Sequence, residues 1–554
     1  RLGIRQEPLM AELRRRLVIA WPALLLAFGL PVLLGGWAAA ASQRGGSLPL
    51  QGGRYVEGVV GPPPTHVNPL FATPDSPEGD LTRLVFSGLT RPGPNGEPEP
   101  DLANSWVSSA DGTSFTFVLR QDLFWQDGQP LTADDVVFTA NAYNDPGVRG
   151  DPATAEVWRR AHVQKLGPFE VLFHFDAPFE PFLAYSAAGI LPAHLLAKDS
   201  PAQLVDDPFN THPIGSGPYR LVSLSATGAE LVPNVRYQLG APYIAHLSLR
   251  FLPDTGALTQ ALNAHRVDGG LLPPPVDAGE LDALRQDGHT LLSGLRPVYT
   301  LVYLNLNVAQ FQDASVRNAL SLATDRNQLV QQVMYGQATP SDVPLAPGTW
   351  SGDSSPPRYD PTAAKQLLQQ AGWTPGANGV LVRRGIALSF TLQTTNEPQR
   401  LALANALAAQ WRALGAAVQV SSLSPDDLLN NVLLPHKYES VLYGWDPGPD
   451  PDPFPAWHSS QSGDAGLNLS GYASGRADQL LEAARRTPVL QDRAAIYGAF
   501  AEVFREDEPA IVLFFPRYLY AIPSQMHGVE LGLLASTGAR FDAVQRWALN
   551  AARN

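Results

Sequence analysis

The sequence predicts a mixed α/β protein divided into at least two lobes. Strand-type and helix-type patterns alternate through both halves of the chain, as mixed α/β layers require. A chain of 554 residues is also longer than one hydrophobic core serves. Proline (51 residues) and glycine (48) are abundant, proline well above its usual share of about 5%, so many turns and extended loops join the elements. A hydrophobic fraction of 44% and a charged fraction of 16% are those of a globular chain.

The N-terminal segment carries a basic cluster, Arg14, Arg15 and Arg16, followed by an apolar run from Leu17 to about Ala41. The basic side stays in the cytoplasm, so the rest of the chain is expected outside the membrane. The run exceeds the usual signal-peptide core of about 7–15 residues and is long enough to span a bilayer. The small residues of "WAAAAS" nevertheless offer a cleavage site, so residues 1–41 read either as a cleaved signal peptide or as a membrane anchor. Residues 42–52 read as a linker. Formal charge is −13; removing the five basic and two acidic residues of 1–41 takes the exported body to −16. That acidity excludes nucleic acid as an expected partner, which needs a basic surface. The chain has no cysteine, which excludes disulfides, thiolate metal sites, a thiol nucleophile and a lipidated cysteine anchor.

Beyond Gly53 the pattern is strand and turn. Thr113–Arg120 alternates polar and apolar residues after an Asp111-Gly112 turn. The stretch "WQDGQPLTADDVVF", Trp125–Phe138, crowds three aspartates together. Asp127-Gly128 is a turn, Thr132 an N-cap, and Asp135 the acid of a capping box; Asp134 and Asp135 fall in the first helical turn, where the helix dipole favours negative charge. Each aspartate thus has a structural task, and a metal or catalytic role is the alternative. Phe169–Asp176 reads as a strand, and His212–Val222 as a glycine-rich turn entering a strand. Thr300–Asn307 is a further strand, followed by helices capped by Asp313 and Thr324 and closed at Gly336. Asp360, Pro361 and Gly372 frame another helix. A helix runs into a strand through "ALAAQWRALGAAVQV", "SPDDLL" starts a further cap, two helices follow Gly475, and "PAIVLFFPRYLYAIP" reads as a late strand pair.

Enzyme signatures are missing: no G-x-S-x-G, H-E-x-x-H, P-loop or dinucleotide fingerprint occurs. The 11 histidines show no ligand-type pairing, and the acids of "DPGPDPDPF" do not have the spacing of a calcium loop. No cofactor, metal or catalytic residue is therefore expected. The same stretch sets Tyr443, Trp445 and Trp457 around acids after a short strand. Aromatic rings beside a carboxylate suit an organic cation; Trp445 packed in the core with Asp446 capping a turn is the plainer alternative.

Five blocks in order carry a resemblance to the family 5 extracellular solute-binding proteins, the oligopeptide-, dipeptide- and nickel-binding components of ABC importers. They are "LANSWVSSADGTSFTFVLRQDLFWQDGQPLTADDVVFTANAY", "PIGSGPYRLV", "LVYLNLNVAQFQDASVRNALSLATDRNQLV", "YDPTAAKQLLQQAGW" and "GWDPGPDPDPF", and together they span most of residues 53–545. The resemblance implies a type II periplasmic-binding-protein fold, two α/β lobes joined by crossing strands with a ligand cleft between them. It places lobe one at 53–296, lobe two with the hinge strands at 297–522, and a return to lobe one at 523–554. The crossings are expected near Pro297–Asn307 and Ala510–Pro523. It further implies a monomeric receptor that makes and breaks no bond, closes on a peptide or other small solute (an oligosaccharide or nickel complex being alternatives), and delivers it to ABC permease and ATPase subunits. A membrane-anchored sensor and a hydrolase are the rivals from other classes. In peptide-binding relatives an aspartate shortly after the Gly-Trp pair meets the peptide amine. Asp446 is the nearest match, with Asp450 next, although the segment here is a residue shorter and rich in proline. Ser76, Tyr299, Asn396, Tyr443 and Trp445 complete the expected ligand-binding set.

Overall fold

The computed structural model describes residues 52–549, apart from 146, 147, 149, 199, 377, 464 and 465. The segment 1–41, read above as a signal or an anchor, lies outside the described residues, among which no helix is long and apolar enough to cross a membrane.

Twelve strands form one hydrogen-bonded system whose two halves share the 14-residue strand Ala510–Pro523. The N-terminal part of that strand pairs with Tyr299–Leu304 and Ala338–Pro340. Its C-terminal part pairs with Gly269–Leu272 and His289–Leu295. The late strand pair expected from the sequence is therefore one strand that changes neighbours near Pro516. Leu513 is an extra residue on it, since Thr300 lies opposite Phe514 while Leu301 lies opposite Val512, and such a bulge bends the strand where the sheet changes hands.

The first half-sheet adds Arg54–Val60 between two parallel neighbours, His246–Leu252 and Gly269–Leu272, then the antiparallel strands Gly228–Pro233 and Tyr219–Ser225. The second half-sheet orders Ala417–Leu423, Ser389–Thr395, Ser440–Trp445 and Tyr299–Leu304 beside the shared strand. Tyr299–Leu304 is buried at every position. Its side chains alternate between two cores, Tyr299, Leu301 and Tyr303 on one face and Val302 and Leu304 on the other, because strand side chains have a period of two.

A separate four-stranded antiparallel sheet is built from Ala103–Ser108, Ser114–Leu119, Glu170–His174 and His162–Gly167. Phe115, Phe117, Phe173, Phe175 and Phe182 pack with Trp158 at ring separations of 4.8–6.1 Å on its inner face. The helix Ala133–Tyr143 covers this sheet with the capping box in place: Thr132 accepts from the Asp134 amide at 3.3 Å, and Asp135 accepts from the Thr132 amide at 2.8 Å. Asp135 also accepts from the Ala193 amide, Asp134 pairs with Lys165 at 2.7 Å and Asp127 meets His194 at 2.8 Å. All three aspartates are thus engaged locally. At the helix starting at Arg326 the cap is Asp325 rather than Thr324, whose hydroxyl is spent on the Leu320 carbonyl at 2.8 Å.

Buried charge ties the first half together. Arg540 donates to Glu57 at 2.6 Å and to Asp80 at 2.7 Å, and Glu57 accepts from the Tyr55 and Tyr520 hydroxyls. Strand, helix, shared strand and C-terminal return thereby meet at one guanidinium, and breaking such a buried set by removing one member costs about 3–5 kcal/mol.

Away from the shared strand, the small sheet touches the second half. The Glu180 amide donates to the Arg485 carbonyl at 3.0 Å, and the Arg485 guanidinium stacks over Phe179 at 5.3 Å. Gly112 allows this approach, because a Cβ there would lie 3.1 Å from the same carbonyl and its φ is +70°. Glu180 is 2% exposed and its Oε1 has no hydrogen-bond partner. Burial pushes its carboxyl up to about 7, with the Ser108 hydroxyl and Arg493 acting the other way. A raised acid contributes stability that is present below its unfolded value and lost as pH rises through the folded one. Thermal stability is therefore expected to fall between about pH 4.5 and 7, and Glu180→Gln to flatten part of that fall. Melting curves of both proteins at pH 4.5, 6 and 8 check this; parallel curves would show that Glu180 has no share in it.

Candidate functional site: a cleft between the two half-sheets

Antiparallel register brings the site together. Tyr299 lies opposite Trp445 at the end of its strand, so Arg296, three residues before, reaches the loop after Trp445. The Arg296 amide is fixed to the Pro516 carbonyl at 3.0 Å, which ties the arginine to the shared strand. Its side chain is 4% exposed and packs 5.6 Å from the Tyr518 ring. It donates two bonds to Asp75, at 3.0 and 2.7 Å, and stands 4.0 Å from Asp446. Asp75 arrives from the loop before the helix Pro77–Val85 and also accepts from the Thr537 amide at 2.8 Å. One guanidinium therefore faces two carboxylates contributed by the two halves of the molecule.

Asp446 is half exposed. Its Oδ1 accepts from the Gly448 amide at 2.9 Å, an Asx-type turn across Pro447, while Oδ2 faces Arg296. Gly448 is required there: its φ is +80°, and a Cβ would lie 3.1 Å from the Tyr185 hydroxyl. Although the carboxylate opens into the cleft, the surrounding walls raise its pKa by desolvation. The Gly448 amide and Arg296 lower it, and Asp75 and Asp151 raise it.

This carboxylate borders two chambers. One, about 480 Å³, is lined by Asp75, Asp151 and Tyr185 from one side and by Trp445, Asp446 and Pro455 from the other, with many alanines and prolines between. The second, about 340 Å³, lies beyond Arg296 and is lined by Thr300, Gln399, Arg400, Leu403 and Phe514. Both sizes suit small-molecule or short-chain ligands.

The expected residues separate on these walls. Asp446 and Trp445 line the larger chamber, and Trp445 also packs against a core. Tyr443 is half-buried against the same core. Tyr299 is 2% exposed and accepts from the Trp457 indole at 3.3 Å, inside the core. Asp450 is buried and bonded through both oxygens to Arg493, at 3.0 Å for Oδ2, while Arg493 also holds the Tyr497 hydroxyl; it anchors the root of the loop and lines neither chamber. Ser76 caps the helix Pro77–Val85, accepting from the Gly79 amide. Asn396 donates its amide to the Leu423 carbonyl ahead of the helix Pro398–Leu414 and lines neither chamber. Asp75, Asp151, Tyr185, Arg296 and Arg400 were missed. No local pattern marks them, since Asp75 and Arg296 are 221 residues apart.

A mixed α/β scaffold with a partly apolar cleft and a few convergent charges defines a ligand-binding protein. The model of the bacterial extracellular solute-binding proteins, family 5, middle region, matches residues 97–466, and the chain belongs to that family. The oligopeptide-binding protein AppA of Bacillus subtilis is 28% identical over 501 residues, covering 88% of this chain and 91% of AppA. Its structure in complex with a nonapeptide superposes with a TM-score of 0.67 at 27% identity, covering 91% of this chain and all of that one (100%). NikZ from Campylobacter jejuni, solved in complex with Ni(L-His), gives a TM-score of 0.68 at 27% identity over 89% and 99% of the two chains.

The triad yields an expectation with opposite signs. Arg296→Met should raise the Asp446 pKa further, by removing the cation that lowers it, and Asp75→Asn should lower it, by removing a like charge. Carboxyl-carbon NMR titration of both variants measures the two shifts. Shifts of the same sign would show that the two groups do not act on Asp446 as neighbouring charges.

Proposed function

We propose that this protein is the extracytoplasmic substrate-binding component of an ABC importer and that it binds peptides. The observation that carries the reading is Asp446, a carboxylate at the end of a strand, partly open to a cleft and beside the Trp445 ring. A peptide amine is a cation, and a closed cleft strips its water. That desolvation is costly unless an opposite charge receives it. Asp446 Oδ2 supplies the charge, and Trp445 covers the neighbouring side chain. Family membership and the oligopeptide-binding relative support the reading, and no step of it makes or breaks a covalent bond.

Delivery follows from the shared strand. The two half-sheets act as lobes hinged where Ala510–Pro523 changes neighbours. A ligand that touches both walls only in the closed state shifts the population toward it, and a membrane permease with its ATPase reads the closed shape. Residues 1–41 serve as the export signal or anchor that puts the receptor outside, and the receptor works as a monomer. An oligosaccharide, a nickel complex or a sensing role are the alternatives that the measurements below would bring forward.

Hydrogen bonds to charged groups contribute roughly 1.5–3 kcal/mol, so Asp446→Asn is expected to weaken free peptides about tenfold or more. N-acetylated peptides should bind the natural protein poorly and lose little further in the variant. Affinity for free peptides should also drop on acidification through the raised Asp446 pKa, and this drop should be absent from Asp446→Asn. Calorimetry on the two-by-two set decides: if acetylation and substitution act independently, Asp446 does not meet the amine.

Hinge closure predicts a smaller radius of gyration with ligand. Small-angle scattering with and without a peptide of measured affinity reads it, and an unchanged radius across several such peptides would count against a closing receptor.

A further inference from the structure

A carboxyl is sealed inside the seam where the small sheet meets the second half. The Glu180 amide bonds across that seam to the Arg485 carbonyl, at 3.0 Å, in the last turn of the helix Gly475–Arg486. A stack of rings extends the contact. The Arg485 guanidinium lies 5.3 Å from the Phe179 ring and 3.7 Å from the Phe454 ring, which stacks on His458 at 4.0 Å, and Arg160 lies 5.1 Å from Phe179. No strand of the small sheet pairs with either half-sheet. Parting the two halves therefore breaks this seam and lets water reach the carboxyl.

The charges around Glu180 are matched without it. Arg493 is bonded to both oxygens of Asp450 and to the Tyr497 hydroxyl, and Arg485 is paired with Asp452 at 2.7 Å. Glu180 itself makes no ion pair among the described residues. Ser108 donates to its Oε2 at 3.4 Å, and Oε1 is sealed from solvent without a partner. Two guanidiniums thus face two other carboxylates, and a third carboxylate would be an uncompensated buried charge. The side chain fits the seam as a neutral acid. Its upward displacement by burial agrees, with Ser108 and Arg493 opposing it and Asp450 adding to it. The seam also borders the ligand space. Tyr185, 6.3 Å from the Phe179 ring, and Pro455, next to Phe454, both line the larger chamber.

We propose that Glu180 is a proton-dependent latch on closure: the two halves shut over its protonated carboxyl, and ionisation at the seam opens them and releases the ligand. The inference rests on the hinge closure above and adds its regulation. Its sign follows from the burial. In the open state water surrounds the carboxyl, which titrates as an ordinary acid; in the closed state it keeps its proton up to about pH 7. Closure between those values takes up a proton, so affinity falls as pH rises, by up to about tenfold per pH unit. Asp446 acts in the opposite sense, losing ligand on acidification. The comparison is therefore made with Glu180→Gln, which keeps Asp446 and imitates the protonated acid.

Calorimetry of a short peptide, in buffers of different ionisation enthalpy, counts the protons taken up on binding. At pH 6 the natural protein should take up about one proton more than Glu180→Gln. Its affinity relative to the variant should fall at least about tenfold from pH 5 to pH 7. Equal uptake with a constant affinity ratio would overturn the latch, whereas an unchanged radius of gyration with ligand would overturn the hinge beneath it. If no peptide binds, the ligand-free protein decides. The chain has no cysteine, so Val107→Cys with Val489→Cys puts two spin labels at exposed positions, one on the small sheet and one on the second half. The population at short distance should shrink from pH 5 to pH 8, and Glu180→Gln on the same background should hold it constant. The same pH response in both proteins would overturn the proposal.

Discussion

The backbone ladder of Ala510–Pro523 is the constraint on which the rest of the molecule depends. Its amides and carbonyls satisfy strands of both half-sheets, so neither half completes its hydrogen bonding without it. A bulge at Leu513 and the change of neighbours near Pro516 let one strand serve two differently oriented sheets. Around that join the chain places Arg296, whose amide bonds the Pro516 carbonyl. The site charges are thus fixed to the part of the molecule that belongs to both halves.

Charge in this protein is sorted by what it faces. The Glu57–Arg540–Asp80 set and the Asp450–Arg493 pair are sealed in the walls and hold segments distant in sequence. Burying such groups is favourable only when every partner is present, which makes them rigid anchors rather than ligand contacts. In the cleft the balance is left open. Arg296 is shared between two carboxylates, Asp446 keeps one oxygen free of the turn, and Arg400 has no ion pair or hydrogen bond among the described residues.

Aromatic residues divide in the same manner. Trp457 is enclosed, with its indole N–H bonded to Tyr299. Trp445, twelve positions earlier, lies with one part against a core and another on the chamber wall. The strand end decides between them, because sheet pairing stops at Trp445 and the proline-rich loop leaves its ring half uncovered.

The sequence by itself determined the local structure and the family. Strand alternation, the Thr132–Asp135 capping box, the Asp360-Pro361 start and the five ordered blocks are short-range features, written in consecutive residues by backbone sterics and capping chemistry. The same local chemistry made Asp446 legible as a carboxylate after a Gly-Trp pair. It did not separate Asp446 from Asp450, since both stand in one proline-rich loop and differ only in whether Arg493, far along the chain, reaches them. Arg296 between Asp75 and Asp446, and Arg400 without an ion pair or hydrogen bond among the described residues, were decided by the tertiary structure alone. Pairing of charges hundreds of residues apart follows from sheet register and the crossing of one strand, and no periodicity in the sequence records which guanidinium finds a carboxylate and which is left facing the cleft.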